Sequence, residues 1–493
     1  MNSEKPSASA FKVKTFTGKW WIPGSEHHCY GTLTFDISGE QLLKIIGFLE
    51  GKYPGELQKY EVLHGYCQMD NKEYHVTLFN AWHTYLSGPI MLNGQDICEN
   101  TIVFQNIWIG NRFYDKRDDV KFASFTFGIH NLENWQDERR VFSTDIKKFP
   151  AITTATMTLP PEIKLFEDDN VEIEITYFCQ VPGFCDGQLS TSMRYCPLIC
   201  IQSKNDLLPY YGEKSSFEYY WYCVYEFFEL LLDGRTYFFD LRGLGKIPEI
   251  SVHQERMELL YSRPINPKQR RNVSPHQILM PYKKIKDSLC GAFSGFMNCQ
   301  NDIMGILENL LTFTTTNTYH INPLPSLLFA LEGLQRIFYG KFGVGSSDEN
   351  KADYTDFENK KNAIISCCSE DLHSFIKQKL SWQVPFQKRL YRMIKEYSAV
   401  FTTISDDVCE KLSKELKDIR NQSAHCDNRE EISWGIIFNL TRFVEYFHYA
   451  IILHNCGMPQ ETIKNCFESC HPYNFNDIMK FISTRYAAKE ETK

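Results

Sequence analysis

The segment Arg420-Asn421-Gln422-Ser423-Ala424-His425 places a permanent cation five positions before an imidazole. A guanidinium can hold a phosphate and a histidine can take a proton near neutral pH, so the two together suit reactions at a phosphodiester. Asn421 and His425 are four apart. If a helix runs through them they stand one turn above each other, and the amide could hold the imidazole in one tautomer. The plain alternative is a helix C-terminus whose dipole and last carbonyls attract an arginine and a histidine.

Spacing does not choose between these readings, because chance alone would place about one or two such Arg–His pairs in a chain of this composition. Arg271 precedes His276 at the same interval, but Pro275 bars a packed helix there. Arg442 and His448 fall about 120° apart around a helix, which makes a shared site harder. Helical context favours Arg420 and His425. The set His454, Cys456, Cys466, Cys470 and His471 contains a single tight pair, so thiols packed between helices are expected there instead of zinc. Cys196 and Cys200 read the same way. Trp20-Trp21 and Tyr219-Tyr220-Trp221-Tyr222 could stack bases, although such clusters usually pack β cores. No glycine-rich phosphate loop or nucleophile elbow is visible, so nucleotide hydrolysis and serine-hydrolase chemistry have no support. No cofactor and no metal are expected.

The elements that must position Arg420 and His425 are helices. Ser405, followed by Asp406 and Asp407, reads as an N-cap, and Val408, Leu412, Leu416 and Ile419 form the apolar face of the helix it starts. Other helices are expected from Pro325 to Gly340, with Leu327, Leu328, Leu331, Leu334 and Phe338 on one stripe, around Leu390 to Tyr397, from Ile432 to His454, and at Glu461–Phe467 and Phe475–Tyr486. Residues 343–353 read as a polar loop, Thr355 with Glu358 as the capping box of the next helix, and Cys426-Asp427-Asn428 as a break. The part before about residue 290 alternates in period two. Its clearest strands are Thr32–Phe35, Glu73–Phe79, Ile102–Ile109, Lys121–Phe127, Val171–Phe178 and Thr236–Phe239, with turns at Asp70-Asn71 and Leu92-Asn93-Gly94. Two helices, Gly39–Glu50 and Ser216–Leu232, interrupt it. The prolines and basic residues between Arg263 and Lys286 read as an exposed connection. The expected fold is therefore α+β and multidomain, a β-rich region over 1–290 followed by an all-α bundle over 300–493.

A chain of 493 residues is too long for one core. Its composition is that of a folded globular protein, and the net charge of −8 excludes global attraction to nucleic acid or an anionic membrane, so a basic site must be local. The N-terminus lacks a signal-peptide core and no uncharged apolar stretch reaches a membrane span. Seventeen cysteines without a regular framework suggest free thiols in a reducing compartment, and a cytoplasmic protein without membrane contact is expected.

A helical bundle with Arg420-Asn421-x-x-x-His425 between its third and fourth principal helices resembles the HEPN superfamily. Leu331-Glu332-Gly333-Leu334 and the expected loop after Gly343 are similar to the ApeA-type branch, and Trp20-Trp21-Ile22-Pro23-Gly24 followed by Gly31-Thr32-Leu33-Thr34-Phe35 resembles the start of the ApeA N-terminal domain. The resemblance implies a metal-independent endoribonuclease with Arg420 and His425 as the catalytic pair and Asn421 as the polar residue after the arginine. His425 would remove the proton of a ribose 2′-hydroxyl, and Arg420 would stabilise the charge gathering on the phosphoryl oxygens. It further implies a homodimer through the HEPN domain, RNA as partner, with transfer RNA as an expected substrate, a phage-derived trigger, a β-rich region that senses infection or restrains the nuclease, and abortive infection as the outcome. Lys411, Lys414, Lys417, Lys377, Lys379, Lys388, Arg389, Arg392 and Lys395 are either a local RNA groove or solvated helix faces. Glu332 is either a buried partner of Arg420 or a surface glutamate. The competing expectation is a non-catalytic RNA-binding or oligomeric HEPN scaffold.

Overall fold

The computed structural model describes residues 13–36, 41–51, 56–86, 90–92, 95–137, 142–147, 152–180, 194–205, 207–246, 254–260, 272–315, 323–340, 347–380, 384–402, 404–425, 433–470 and 472–487. It forms two compact units, 1–229 with 235–273, and 230–234 with 274–493. The first is β-rich and the second helical, so the α+β class expected from the sequence holds.

The first unit opens with β1 (Lys14–Trp21), β2 (Cys29–Phe35), β3 (Gln41–Ile46), β4 (Lys59–Met69) and β5 (Lys72–Leu86). A small hairpin of β6 (Ile90–Leu92) and β7 (Gln95–Ile97) leads to β8 (Glu99–Val103) and β9 (Asn106–Gly110). Strands β5, β4, β1, β2, β3 and β8 pair in that order, and β8 pairs back on β5, which closes a barrel. Alternation explains its interior: Phe16, Trp20, Leu33, Leu43, Ile45, Leu63, Val76, Leu78 and Ile102 point inward and are buried. Gly65 is required where Trp20 lies across β4, since a Cβ there would sit 2.4 Å from the indole. The β4–β5 hairpin turns at Asp70 and Asn71, both at positive φ (51° and 60°), as the sequence suggested.

Strand β5 also pairs with β9, and from β9 an open antiparallel sheet runs outward. Its later strands are β11 (Ser124–Ile129), preceded by the short β10 (Lys121–Phe122), then β14 (Ile163–Glu167), β15 (Val171–Gln180), β16 (Arg194–Ser203), β18 (Phe238–Lys246) and β19 (Gln254–Leu260). The hairpin of β12 (Phe142–Lys147) and β13 (Ile152–Met157) stands apart, and β17 (Leu208–Pro209) pairs with β10. Helix α1 (Leu132–Gln136) is short; α2 (Phe217–Leu231) packs its aromatic face on the sheet, with Trp221 against Phe127 and Phe238 and Tyr225 against Phe238. Trp20, Tyr220 and Trp221 are thus core residues.

Three readings of this unit need correction. The helix expected over Gly39–Glu50 is strand β3 over Gln41–Ile46 and a turn over 47–50, because Leu43 and Ile45 face inward while Lys44 and Ile46 face solvent, a period of two. The single strand expected over Ile102–Ile109 is two, β8 and β9, each pairing with a different stretch of β5. The described end of the connection before Lys286 is exposed only in part: Lys283, Lys284 and Lys286 face solvent as expected, but Val273, Ile278, Leu279, Met280 and Ile285 are buried. The turn at Asn93-Gly94 lies outside the described residues.

The second unit contains α3 (Tyr282–Ile285), α4 (Leu289–Thr315), α5 (Leu324–Tyr339), α6 (Ser347–Cys367), α7 (Glu370–Lys379), α8 (Phe386–Glu396), α9 (Asp406–His425), α10 (Trp434–Asn455), α11 (Gln460–Cys470) and α12 (Pro472–Tyr486). The expected stripes are the buried ones: Leu327, Leu328, Leu331 and Leu334 on α5, and Val408, Leu412, Leu416 and Ile419 on α9. The polar stretch expected to be a loop over 343–353 is helical from Ser347 onward, and Thr355 lies inside α6 instead of capping it. No glycine or proline occurs between Ser347 and Leu380, so nothing in the backbone opposes a helix there. The break at Cys426-Asp427-Asn428 lies outside the described residues. Helix α10 is long and apolar enough to cross a membrane by length and composition, but it carries Arg442 and Glu445, so it is not an uncharged stretch, and 78% of its apolar window is buried in the unit, as in a core helix.

Candidate active site

Helix α9 begins where the Val408 amide donates to Ser405 Oγ at 3.4 Å, with Asp406 and Asp407 in its first turn. Arg420 follows Leu412 and Leu416 at intervals of four, so it continues the inward line by one more turn. Its side chain, 26% exposed, reaches α5 and donates from Nη2 to Glu332 Oε2 at 3.0 Å. The guanidinium lies over Phe329, 4.8 Å from the ring centroid, and over Phe386 at 5.4 Å, so two aromatic rings pack against the cation.

Glu332 occupies an inward position among leucines and is 8% exposed, so it is the buried partner of Arg420 and not a surface glutamate. Its Oε1 also accepts from Arg389 Nη2 at 2.6 Å and Arg336 Nη2 at 3.1 Å. Burial alone would push this carboxyl up; the hydrogen bond from Arg389 and the charges of Arg389, Arg420 and Arg336 outweigh it and hold the carboxyl below its ordinary range. Arg389 Nη1 donates to Gln335 Oε1 at 2.8 Å, and Gln335 Nε2 donates to the Gly340 carbonyl at 3.1 Å. Gly340 ends α5 at a φ of 65°, so the cap of one helix orients the amide that orients Arg389.

Asn421 Oδ1 accepts from Arg420 Nη1 at 3.2 Å, so its carbonyl oxygen serves the arginine. The helix continues to His425, which keeps Asn421 and His425 one turn apart along the backbone. The side chain of His425 lies outside the described residues, as do those of Ser423 and Ala424.

The other Arg–His pair can be compared chemically. Arg442 donates to Glu445 at 2.7 Å, and His448 is fully buried, donating from Nδ1 to the Val444 carbonyl at 2.7 Å. Burial pushes His448 down to about 4, so it is a neutral core histidine at physiological pH. Arg271 lies outside the described residues. Among the described residues no cluster of three or more His, Cys, Asp or Glu side chains could hold a metal ion. Cys456 faces Cys299 at 3.8 Å between sulfurs, His454 bonds the Met458 carbonyl, and Cys466 is buried. The side chain of Cys470 and all of His471 lie outside the described residues.

Several of the basic residues considered as a groove are engaged locally: Lys411 with Asp407 at 2.7 Å, Lys417 with Asp418 at 3.0 Å, Lys395 with Asp406 at 3.2 Å, and Arg389 with Glu332. Arg392 is buried. Sequence reasoning did not find the roles of Arg389 and Gln335. The signal was present, since Glu332 and Gln335 are polar residues three apart within an otherwise leucine-rich inward stripe.

Two family models match the chain, ApeA N-terminal domain 1 over residues 15–295 and Apea-like HEPN over residues 326–462. No curated protein and no solved structure matches it. At family level this supports a ribonuclease-type role in defence against phage. The first match spans more than half of the chain and the second contains Glu332, Arg389, Arg420 and His425, and the chain belongs to the ApeA family of HEPN proteins.

Proposed function

We propose that the protein is a metal-independent endoribonuclease that cleaves cellular RNA in the cytoplasm during abortive infection. The observation that carries this reading is Arg420, partly exposed near the end of α9, held by two aromatic rings and one carboxylate, five positions before His425. A guanidinium so held is preorganised for the oxygens of a phosphodiester. His425 removes the 2′-hydroxyl proton, the alkoxide attacks the adjacent phosphorus, and the 5′-oxygen leaves and takes a proton from water, giving a 2′,3′-cyclic phosphate and a 5′-hydroxyl. Asn421 positions Arg420 through its carbonyl oxygen. Transfer RNA fits as substrate because its anticodon loop presents unstacked nucleotides. The β-rich unit senses a phage-derived trigger.

One Arg–His element per chain is half of a two-element site, so the acting species is a homodimer through the HEPN domain. The exposed Phe329 beside Arg420, and Trp434 and Phe438 in the first turns of α10, are apolar surface available for that contact.

The test is cleavage of total RNA by the purified full chain with a divalent chelator present, with the product ends determined. Arg420→Ala and His425→Ala should each lower cleavage by at least about 10²-fold while remaining folded. Loss of activity on chelation would refute the metal-free reaction, and retained cellular function in His425→Ala would indicate a scaffold.

A further inference from the structure

Glu332 presents a problem of charge. A carboxylate facing Arg420 alone would neutralise it, leaving a poor ligand for phosphate. Here one carboxylate meets three guanidinium groups, which leaves two positive charges in excess. Arg336 is 66% exposed, so water and salt screen its share. Arg389 is different. Its side chain is 11% exposed, it makes the shortest of the three contacts, it is pinned by Gln335, and it lies over the same Phe386 ring as Arg420, at 5.6 Å. It is too enclosed to approach a ligand freely, but its charge acts through a weakly screening interior. Arg420, meanwhile, retains a buried Nε with no hydrogen-bond partner among the described residues.

We infer that Arg389 is a positioning residue, the inner counter-cation that takes up the charge of Glu332 and so leaves Arg420 able to bind a phosphate of single-stranded RNA. Glu332 fixes where Arg420 points, and Arg389 prevents that fixing from cancelling its charge. This rests on the ribonuclease reading for the identity of the ligand; the balance of charges itself is independent of cleavage.

The test uses the full chain and a fluorescent single-stranded oligoribonucleotide with 2′-O-methyl riboses, which lacks the nucleophile. Affinity is measured across a salt series, with thermal melts of every variant. Arg389→Gln should weaken binding about tenfold and flatten the slope of log affinity against log salt by about 0.7, one phosphate's worth for a single strand. Arg389→Lys, which keeps the charge, should recover most of the loss. The decisive variant is Glu332→Gln with Arg389→Gln, in which the carboxylate and its counter-cation are removed together. It should bind within about threefold of the wild type. A double variant that folds but binds no better than Arg389→Gln overturns the inference, as does an Arg389→Gln protein with wild-type affinity and slope, or a wild type that does not bind the probe. If the double variant does not fold, failure of Arg389→Lys to recover binding overturns it. Cleavage of unmodified RNA is followed separately in the wild type. Binding with the predicted variant pattern but no cleavage would defeat the ribonuclease reading alone, and cleavage with an indifferent Arg389 would defeat this inference alone.

Discussion

Arg420 and His448 show how the surroundings of a basic side chain decide whether its charge is available. His448 is enclosed by the core of its unit and held neutral, so protonating it must cost stability. Its folded value of about 4 lies below the roughly 6.5 of an unfolded histidine, so the unfolded chain binds the extra proton first. The stability it allows is therefore complete above about pH 6.5 and is lost as pH falls toward 4, on the order of 3 kcal/mol in all. His448→Leu should flatten that part of the thermal midpoint against pH profile, and an unchanged acid limb would refute the assignment. Glu332, with its carboxyl held low by three arginines, contributes stability present above about pH 4.3 and lost as pH falls through its lower folded value. At this scale the sequence named Arg420 and offered Glu332 as its partner, since both lie on readable helical faces. Arg389 was visible only as one more cation, because its role depends on a contact with a residue 57 positions earlier that no local pattern encodes.

Helix α4 offers a controlled comparison of glycines. A Cβ on Gly295 would lie 2.1 Å from the Cys456 carbonyl oxygen, at the end of α10, whereas Gly305 on the same helix has open space around it. Gly295→Ala should force the two helices apart and lower stability by about 1–3 kcal/mol. Gly305→Ala should raise it by up to about 1 kcal/mol through helix propensity. Equal effects on urea midpoints would mean that α4 and α10 do not approach as described. Elements with a strong period were legible in advance, such as the Ser405 cap with the apolar face of α9, and Phe217–Leu231 as a helix. Those that failed were short or polar. In β3 four aliphatic residues among six satisfy either period, and pairing with β2 and β8 decides for the strand. In α6 the sequence from Ser347 is so polar that it resembles a loop, yet it forms a helix of 21 residues.

The proposed dimer belongs to the scale of the whole molecule. Trp434→Glu with Phe438→Glu places charge on exposed positions of α10 without touching its buried face, so the fold should persist while the sedimenting mass falls to that of one chain. RNA cleavage should fall with it. A wild type that sediments as a monomer while cleaving RNA would remove the need for a paired site. The two-part class was readable because the hydrophobic period changes along the chain. Closure of the barrel was not, because it depends on β8 returning to β5 across a hairpin, a pairing chosen by three-dimensional fit. That return gives β5 a double duty. One edge of β5 pairs with β4 over residues 72–82, while its other edge pairs with β9 of the open sheet over 75–79 and with β8 of the barrel over 82–86, and Asn80, at a φ of 49°, sits where that edge passes from one neighbour to the other. Peeling Lys72–Leu86 away would breach the barrel wall and cast off the sheet beyond it in one event, so this unit should melt as a single block, and damage near Asn80 would be felt on both sides at once.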